Sequence, residues 1–151
     1  MKLYVIRHAT AEAAGEAADL HRRLTPSGRR QAEEAGRSLR ERGVSRLWLL
    51  SSPAARARET AELIAGQFEP APEVQLLEAL YTGPTLESLR SAVGDHPEVA
   101  LVGHQPFVEH LVRELLSHPA DLRFPPSIVC CLEFESGMVA EGGRLAWVRN
   151  P

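Results

Sequence analysis

Leu47-Trp48-Leu49-Leu50-Ser51-Ser52-Pro53-Ala54-Ala55-Arg56-Ala57 holds two elements and the joint between them. Four consecutive apolar residues read as a fully buried strand, because a strand covered on both faces has no polar alternation. Ser52 then supplies a helix cap and Pro53 takes the first helical position, where a missing N–H breaks no bond. The helix that follows carries Ala57, Ala61 and Ile64 inward. A buried strand feeding an amphipathic helix is half of a βαβ unit, so the fold turns on whether the unit recurs.

It recurs on both sides. Upstream, Leu3 to Ile6 is a short apolar run cut off by Arg7-His8, a second buried strand. Thr25-Pro26-Ser27 repeats the cap-and-proline start, and Ala32, Ala35 and Leu39 trace one helical face before Gly43 closes it. Downstream, Pro70-Ala71-Pro72 punctuates the chain, Val74 to Leu77 reads as a short strand, and Thr85 to Val93 as a helix with Leu86, Leu89 and Val93 on one stripe. Val99 to Val102 is the next strand, and Gly103-His104-Gln105-Pro106 turns into a helix with Val108, Leu111, Val112 and Leu115 at core spacing. Ser127 to Phe134 and Arg144 to Val148 are late strands, forming a hairpin or a sheet edge. The alternation predicts an α/β fold, a three-layer α/β/α sandwich with a mostly parallel sheet, as a single domain over 1–151.

The 151 residues, 44% hydrophobic and 25% charged, suit one ordinary globular core. The formal charge of −3 argues against a nucleic-acid partner, which needs a basic face, and 5% aromatics offer few platforms for stacked bases. Lys2 is the only lysine; every other basic residue is arginine. No apolar run approaches the length of a membrane helix, and the opening Met1 to Ile6 segment is too short for a signal core, so no membrane partner and a cytoplasmic location are expected. Cys130 and Cys131 are adjacent in a strand, where neighbours point to opposite faces, and read as packing thiols. The Val108 to Leu116 helix shows no exposed apolar face that would demand a dimer.

In open α/β sheets, sites gather beyond the carboxyl ends of the strands. Three such ends supply Arg7-His8, Arg56 in the helix after Ser51-Ser52-Pro53, and Gly103-His104. If those strands are parallel neighbours, two histidines and two arginines share a crevice, and the helix starts at Pro53 and Pro106 add positively polarised N–H ends. A phosphate-sized dianion fits that chemistry. Each residue alone is commonly a surface corner; their coincidence at one sheet edge is what points to a site.

Val5-Ile6-Arg7-His8-Ala9 resembles the Arg-His-Gly signature of the histidine phosphatase (phosphoglycerate mutase-like) superfamily. Ser52-Pro53-Ala54-Ala55-Arg56-Ala57-Arg58-Glu59-Thr60 is similar to its S-P-x-x-R-A-x-x-T segment, and Val102-Gly103-His104 to its second-histidine block. The short chain, with Arg22-Arg23-Leu24-Thr25-Pro26-Ser27-Gly28 and the Gly103 to Pro106 turn, looks most like the small SixA-type phosphohistidine phosphatase branch. The resemblance runs from Met1 to about Phe134. It implies that His8 is a nucleophile that becomes transiently phosphorylated, that Arg7 and Arg56 clamp phosphate, and that His104 contacts the transferring phosphoryl group. Arg22 matches a further phosphate-binding arginine, with Arg23 the other register. Arg58, nearly opposite Arg56 on its helix, reads as a surface charge. Ala9 stands where the superfamily has glycine.

A histidine nucleophile must be neutral, and cationic neighbours disfavour its charged form. Forked guanidinium donors would therefore clamp phosphate oxygens and keep His8 deprotonated together. Passing the phosphoryl group through the enzyme needs no metal and no cofactor. Glu78, in Leu76-Leu77-Glu78-Ala79-Leu80-Tyr81, falls near the segment that supplies a general acid in relatives acting on alcohol phosphates. An imidazole leaves readily near neutral pH whereas an alkoxide needs a proton, so a weak acid favours P–N over P–O substrates. The expected activity is removal of phosphate from a phosphohistidine-bearing protein. The alternatives are a small phosphomonoesterase acting on sugar or nucleotide phosphates and a non-catalytic phosphate-recognition module, the latter disfavoured because both histidines are present. Glu12, Glu16 and Asp19 could rim the mouth.

Overall fold

In the computed structural model, which describes residues 1–15 and 18–151, the chain builds one six-stranded sheet between two helical layers. In chain order the elements are β1 (Lys2–Arg7), a 3₁₀ turn (Asp19–His21), α1 (Pro26–Glu41), β2 (Trp48–Ser51), α2 (Ala55–Ala65) and β3 (Val74–Leu76). After them come α3 (Ala79–Thr82), α4 (Leu86–Val93), β4 (Glu98–Gly103), α5 (Phe107–Leu115), β5 (Val129–Glu133) and β6 (Arg144–Arg149). The strand order is β3-β2-β4-β1-β5-β6. The first four neighbours are parallel, and β5 and β6 add an antiparallel hairpin at the edge. The α/β/α sandwich read from the sequence is the observed one.

Alternation along the strands sorts the core into two layers. Leu3, Val5, Leu50, Leu101 and Cys130 face Leu89 of α4 and Val108, Leu111, Val112 and Leu115 of α5. Tyr4, Ile6, Leu49, Ala100, Val102 and Cys131 face Ala35 and Leu39 of α1 and Ala57, Ala61 and Ile64 of α2. The two cysteines are free, buried, and on opposite faces. Removing each such Leu, Ile or Val side chain from water contributes roughly 1.5–3 kcal/mol, so the strand runs and helix stripes that were legible in the sequence are also the main source of cohesion.

Helix α1 starts as its sequence predicts: Thr25 caps it by accepting from the Gly28 N–H, with Pro26 in first position. Gly28 has no room for a side chain, since a Cβ there would lie 2.0 Å from the Thr10 carbonyl oxygen. Helix α2 starts later than the Ser52-Pro53 pair suggests. Its N-cap is Ala54 and its first residue Ala55. The Ser52 N–H donates to the Val102 carbonyl, prolonging the pairing with β4, so the chain stays extended past Ser51 before it can coil. The strand likewise runs one residue later than read, Trp48–Ser51.

The register brings the functional ends level. Arg7 of β1 pairs with Gly103 of β4, and Ser51 of β2 with Val102. Among the described residues no helix is long and apolar enough to cross a membrane.

Candidate active site

His8, His104, Arg7, Arg22 and Arg56 line one open cavity of about 310 Å³ at that level edge, with Thr10, Ala11, Gln105 and Pro126. The crevice expected at the strand ends is therefore present. Arg7 and His8 arrive at the end of β1, Arg56 on the first turn of α2, and His104 one residue past β4.

The backbone sets the chemistry of His8. Its Nδ1 lies 2.7 Å from the Ala9 carbonyl oxygen. A carbonyl only accepts, so Nδ1 carries the hydrogen and the lone pair is left on Nε2. The Ala9 N–H donates in turn to the buried Thr60 hydroxyl, which donates to the Arg56 carbonyl. Ala9 itself is fully buried beside Leu24 and Ala32. It is not among the positive-φ residues of the chain, so alanine in place of the superfamily glycine carries no backbone strain. Ser127 does adopt positive φ, at 68°, and its N–H is shared between the Arg7 and His8 carbonyls.

Burial pushes the His8 pKa down to about 4, with the charges of Arg56, Arg7 and Arg22 adding to the effect and the Ala9 hydrogen bond opposing it. The arginines thus keep His8 neutral as expected, but desolvation does more. His104 is pushed down to about 3, again by burial first, then by His8 and Arg56. The two rings stand 5.2 Å apart between centroids. His104 Nε2 is 2.8 Å from the Ser52 hydroxyl, while its Nδ1 is buried without a partner. Ser52, read from sequence as a helix cap, is instead the side chain that orients the second histidine, although its oxygen also accepts from the Ala54 N–H.

Arg22 rather than Arg23 faces the cavity. The carboxylate of Glu59, almost wholly buried in α2, takes Arg23 at 2.9 Å and Arg29 at 3.1 Å, and this holds Arg23 outward. Arg58 is a surface charge beside Glu62, as expected. Arg7 donates to the Phe124 carbonyl at 2.7 Å. Glu78 is not brought into the cavity. It is exposed at the start of α3, and the side chain that α3 delivers toward the site is Tyr81, whose ring meets His104 edge-on at 5.9 Å. Of the proposed rim, the Glu12 carbonyl accepts from Arg22, and Glu16 lies outside the described residues.

Asp19 has a larger place than a rim residue. Its Oδ1 accepts from both Nε and Nη2 of Arg22, and its Oδ2 and carbonyl accept from Arg56 at 3.1 and 2.8 Å. The Tyr81 hydroxyl donates to Oδ2 at 3.2 Å. Arg22 first, with Arg56, holds its carboxyl down at about 2, so it is ionised at neutral pH. In the sequence Asp19 reads only as a rim carboxylate of a polar, alanine-rich loop. Arg22 is three positions on, but the other partners of Asp19, Arg56 and Tyr81, lie 37 and 62 positions away. Among the described residues no three His, Cys, Asp or Glu side chains gather as a metal ion would require.

A parallel sheet edge carrying two neutral histidines among three arginines defines a class of phosphoryl-transfer protein, and comparison with known proteins agrees. The family profile of the histidine phosphatase superfamily (branch 1) matches residues 3–81, and the chain belongs to that superfamily. SixA of Agrobacterium tumefaciens, a phosphohistidine phosphatase by name, superposes with a TM-score of 0.80 at 28% identity over 99% of this chain and 97% of that one. SixA of Nakamurella multipartitia superposes at 0.75 with 27% identity, over 99% and 95%. An uncharacterized protein of Picosynechococcus sp. is 33% identical over 112 residues, 70% of this chain and 67% of its own length. The small SixA-type branch is thus its place in the superfamily, and its activity is that of a phosphatase.

Proposed function

We propose that residues 1–151 form one catalytic domain that removes phosphate from phosphohistidine on a protein, with His8 as the nucleophile. The observation that carries this reading is the Nδ1–H of His8 held on the Ala9 carbonyl, which leaves the Nε2 lone pair in a cavity lined by Arg7, Arg22 and Arg56. His8 Nε2 attacks phosphorus as the bond from phosphorus to the leaving imidazole nitrogen breaks. The bond electrons return to that imidazole, which leaves neutral because its other ring nitrogen already carries a proton, and the phosphoryl group rests on His8. Water then attacks phosphorus, the P–Nε2 bond breaks, a proton is lost from the water, and inorganic phosphate leaves. Guanidinium forks meet charge on the equatorial oxygens in both steps. His104, neutral and fixed by Ser52, takes its place beside the same group.

The leaving group supports a P–N substrate. Among the described residues the cavity lining includes no carboxylic acid, and the neighbouring Asp19 is ionised and cannot donate a proton. A phosphohistidine ring protonated on its other nitrogen, as occurs near neutral pH, expels neutral imidazole without such help; an alkoxide does not leave that way. Two SixA-named relatives support the same substrate class. Incubation with a phosphohistidine protein should leave acid-labile phosphate on His8, and full turnover by His8→Ala would overturn the reading. A panel of phosphate monoesters run beside it separates the substrates: cleavage of the esters alone, abolished in Glu78→Gln, assigns a phosphomonoesterase instead.

A further inference from the structure

The phosphate cavity has a neighbour. A groove of about 420 Å³, lined by Tyr81, Pro84, Leu86 and Phe107 among others, shares His104 and Gln105 with it. Asp19 is bonded into the walls of both, to Arg22 and Arg56 on one side and to Tyr81 on the other. Asp19 lines neither cavity itself, but its carboxylate is hydrogen-bonded to wall residues of both, so its charge acts on whatever extends from a bound phosphoryl group into the groove.

The charges near the phosphate can be counted. Arg7, Arg22 and Arg56 bring three positive charges to the lining. The two histidines are neutral, and Asp19 returns one negative charge, which leaves a net of two positive charges. A single phosphoryl dianion balances that number. Among the described residues, a substrate with a second anionic group meets no further lysine or arginine in the lining of either cavity, and it comes under the Asp19 carboxylate and, farther along the groove, the exposed Glu114.

We propose that Asp19 is a specificity-determining residue, which matches the site to one phosphoryl dianion on a neutral or cationic carrier and rejects carriers bearing a second phosphate or a carboxylate. The inference rests on the proposed function for where phosphate sits, and it deepens that reading. A phosphorylated imidazole side chain is admitted, whereas bisphosphates, phosphoglycerates and nucleoside polyphosphates are turned away. A role limited to holding Arg22 and Arg56 in place would affect all anions alike.

The test measures binding of inorganic phosphate and of metal-free pyrophosphate by calorimetry at pH 8, with Asp19→Asn and Asp19→Glu beside the wild type. The Asp19 side chain is 52% exposed, so neither substitution disturbs the core. Asp19→Asn should raise pyrophosphate affinity about tenfold more than phosphate affinity, the factor one extra unit charge roughly 6 Å away gives at an effective dielectric of about 40. Asp19→Glu should keep the wild-type ratio within about twofold. An unchanged ratio in Asp19→Asn, an equal shift in Asp19→Glu, or no phosphate binding in any of the three overturns the proposal. Phosphohistidine hydrolysis measured in parallel keeps the two readings apart. If wild type fails to hydrolyse it while the anion ratio shifts as expected, the substrate assignment falls and the role of Asp19 stands; the reverse pattern removes only Asp19.

Discussion

Helices α1 and α2 begin with the same local grammar, Thr25-Pro26 and Ser52-Pro53, and put it to different uses. At α1 the hydroxyl caps the helix, accepting from Gly28 and donating to the Thr10 carbonyl. At α2 the hydroxyl sits level with the ends of β1 and β4, where His104 is within hydrogen-bond reach, and the helix starts two residues later than the proline suggests. The first-turn arginines diverge in the same way. Arg29 reaches sideways to Glu59, whereas Arg56 is buried against Asp19 in the cavity lined by His8 and His104. A cap motif is satisfied by whichever partner the tertiary structure places nearest, and at the sheet edge that partner is a histidine of the candidate site rather than the helix itself.

The contrast can be broken most severely at the arginines. Arg56→Gln should lower kcat/KM about 10²- to 10³-fold, the scale on which one preorganised transition-state donor acts, while Arg29→Gln should change it less than about twofold. Steady-state kinetics of both variants on one substrate decide the matter.

The histidines sharpen the comparison through pH. Because His8 remains neutral down to about 4, kcat/KM should hold through pH 6.5 and drop about tenfold per unit only below pH 4, provided the fold survives. The folding linkage has the same sign. Below pH 6.5 the unfolded histidines take up protons that folded His8 and His104 refuse, so stability declines as pH falls from 6.5 through about 4 and about 3. Melting temperatures at pH 7 and pH 4.5 should show the loss, and a pH–rate profile with its acid limb at 6.5 would contradict the buried neutral His8.

Gly28→Ala tests the α1 side. Its Cβ collides with backbone rather than with a side chain that could swing away, so a loss of about 3 kcal/mol is expected, read by denaturant unfolding. Ser52→Ala and Thr25→Ala then form the matched pair. Ser52→Ala should cost activity about five- to tenfold, the worth of one net hydrogen bond, and about 1–3 kcal/mol of stability as well, because it leaves the buried Ala54 N–H without its acceptor. Thr25→Ala should leave activity within about twofold and cost about 1 kcal/mol of stability, a melting shift of a few degrees. Equal effects of the two on activity would show that the hydroxyls do the same job.

Much of this was readable along the chain. Four-residue apolar runs and stripes at i, i+3 and i+4 specify buried strands and amphipathic helices because both are local repeats. The ends of those strands therefore named His8, Arg7, Arg56 and His104. At 22–23 the resemblance favours Arg22 and leaves Arg23 as the other register, since what holds Arg23 outward is Glu59, 36 positions away. Glu78 and Tyr81 are near neighbours, and no periodicity indicates which of them a four-residue helix turns toward the cavity.

The sequence by itself determined the six strands, the four longer helices, their order and the residue types delivered to the sheet edge, because propensity, capping and hydrophobic period act over a few residues; the one-turn elements Asp19–His21 and Ala79–Thr82 carry too little periodicity to be read. Only the tertiary structure decided that β1 lies between β4 and β5, that Ser52 serves His104, that Arg22 faces in, and that Asp19 joins Arg22, Arg56 and Tyr81. Those are matters of distance between segments remote in the chain, and a buried charge or lone pair is set by whatever surrounds it in space.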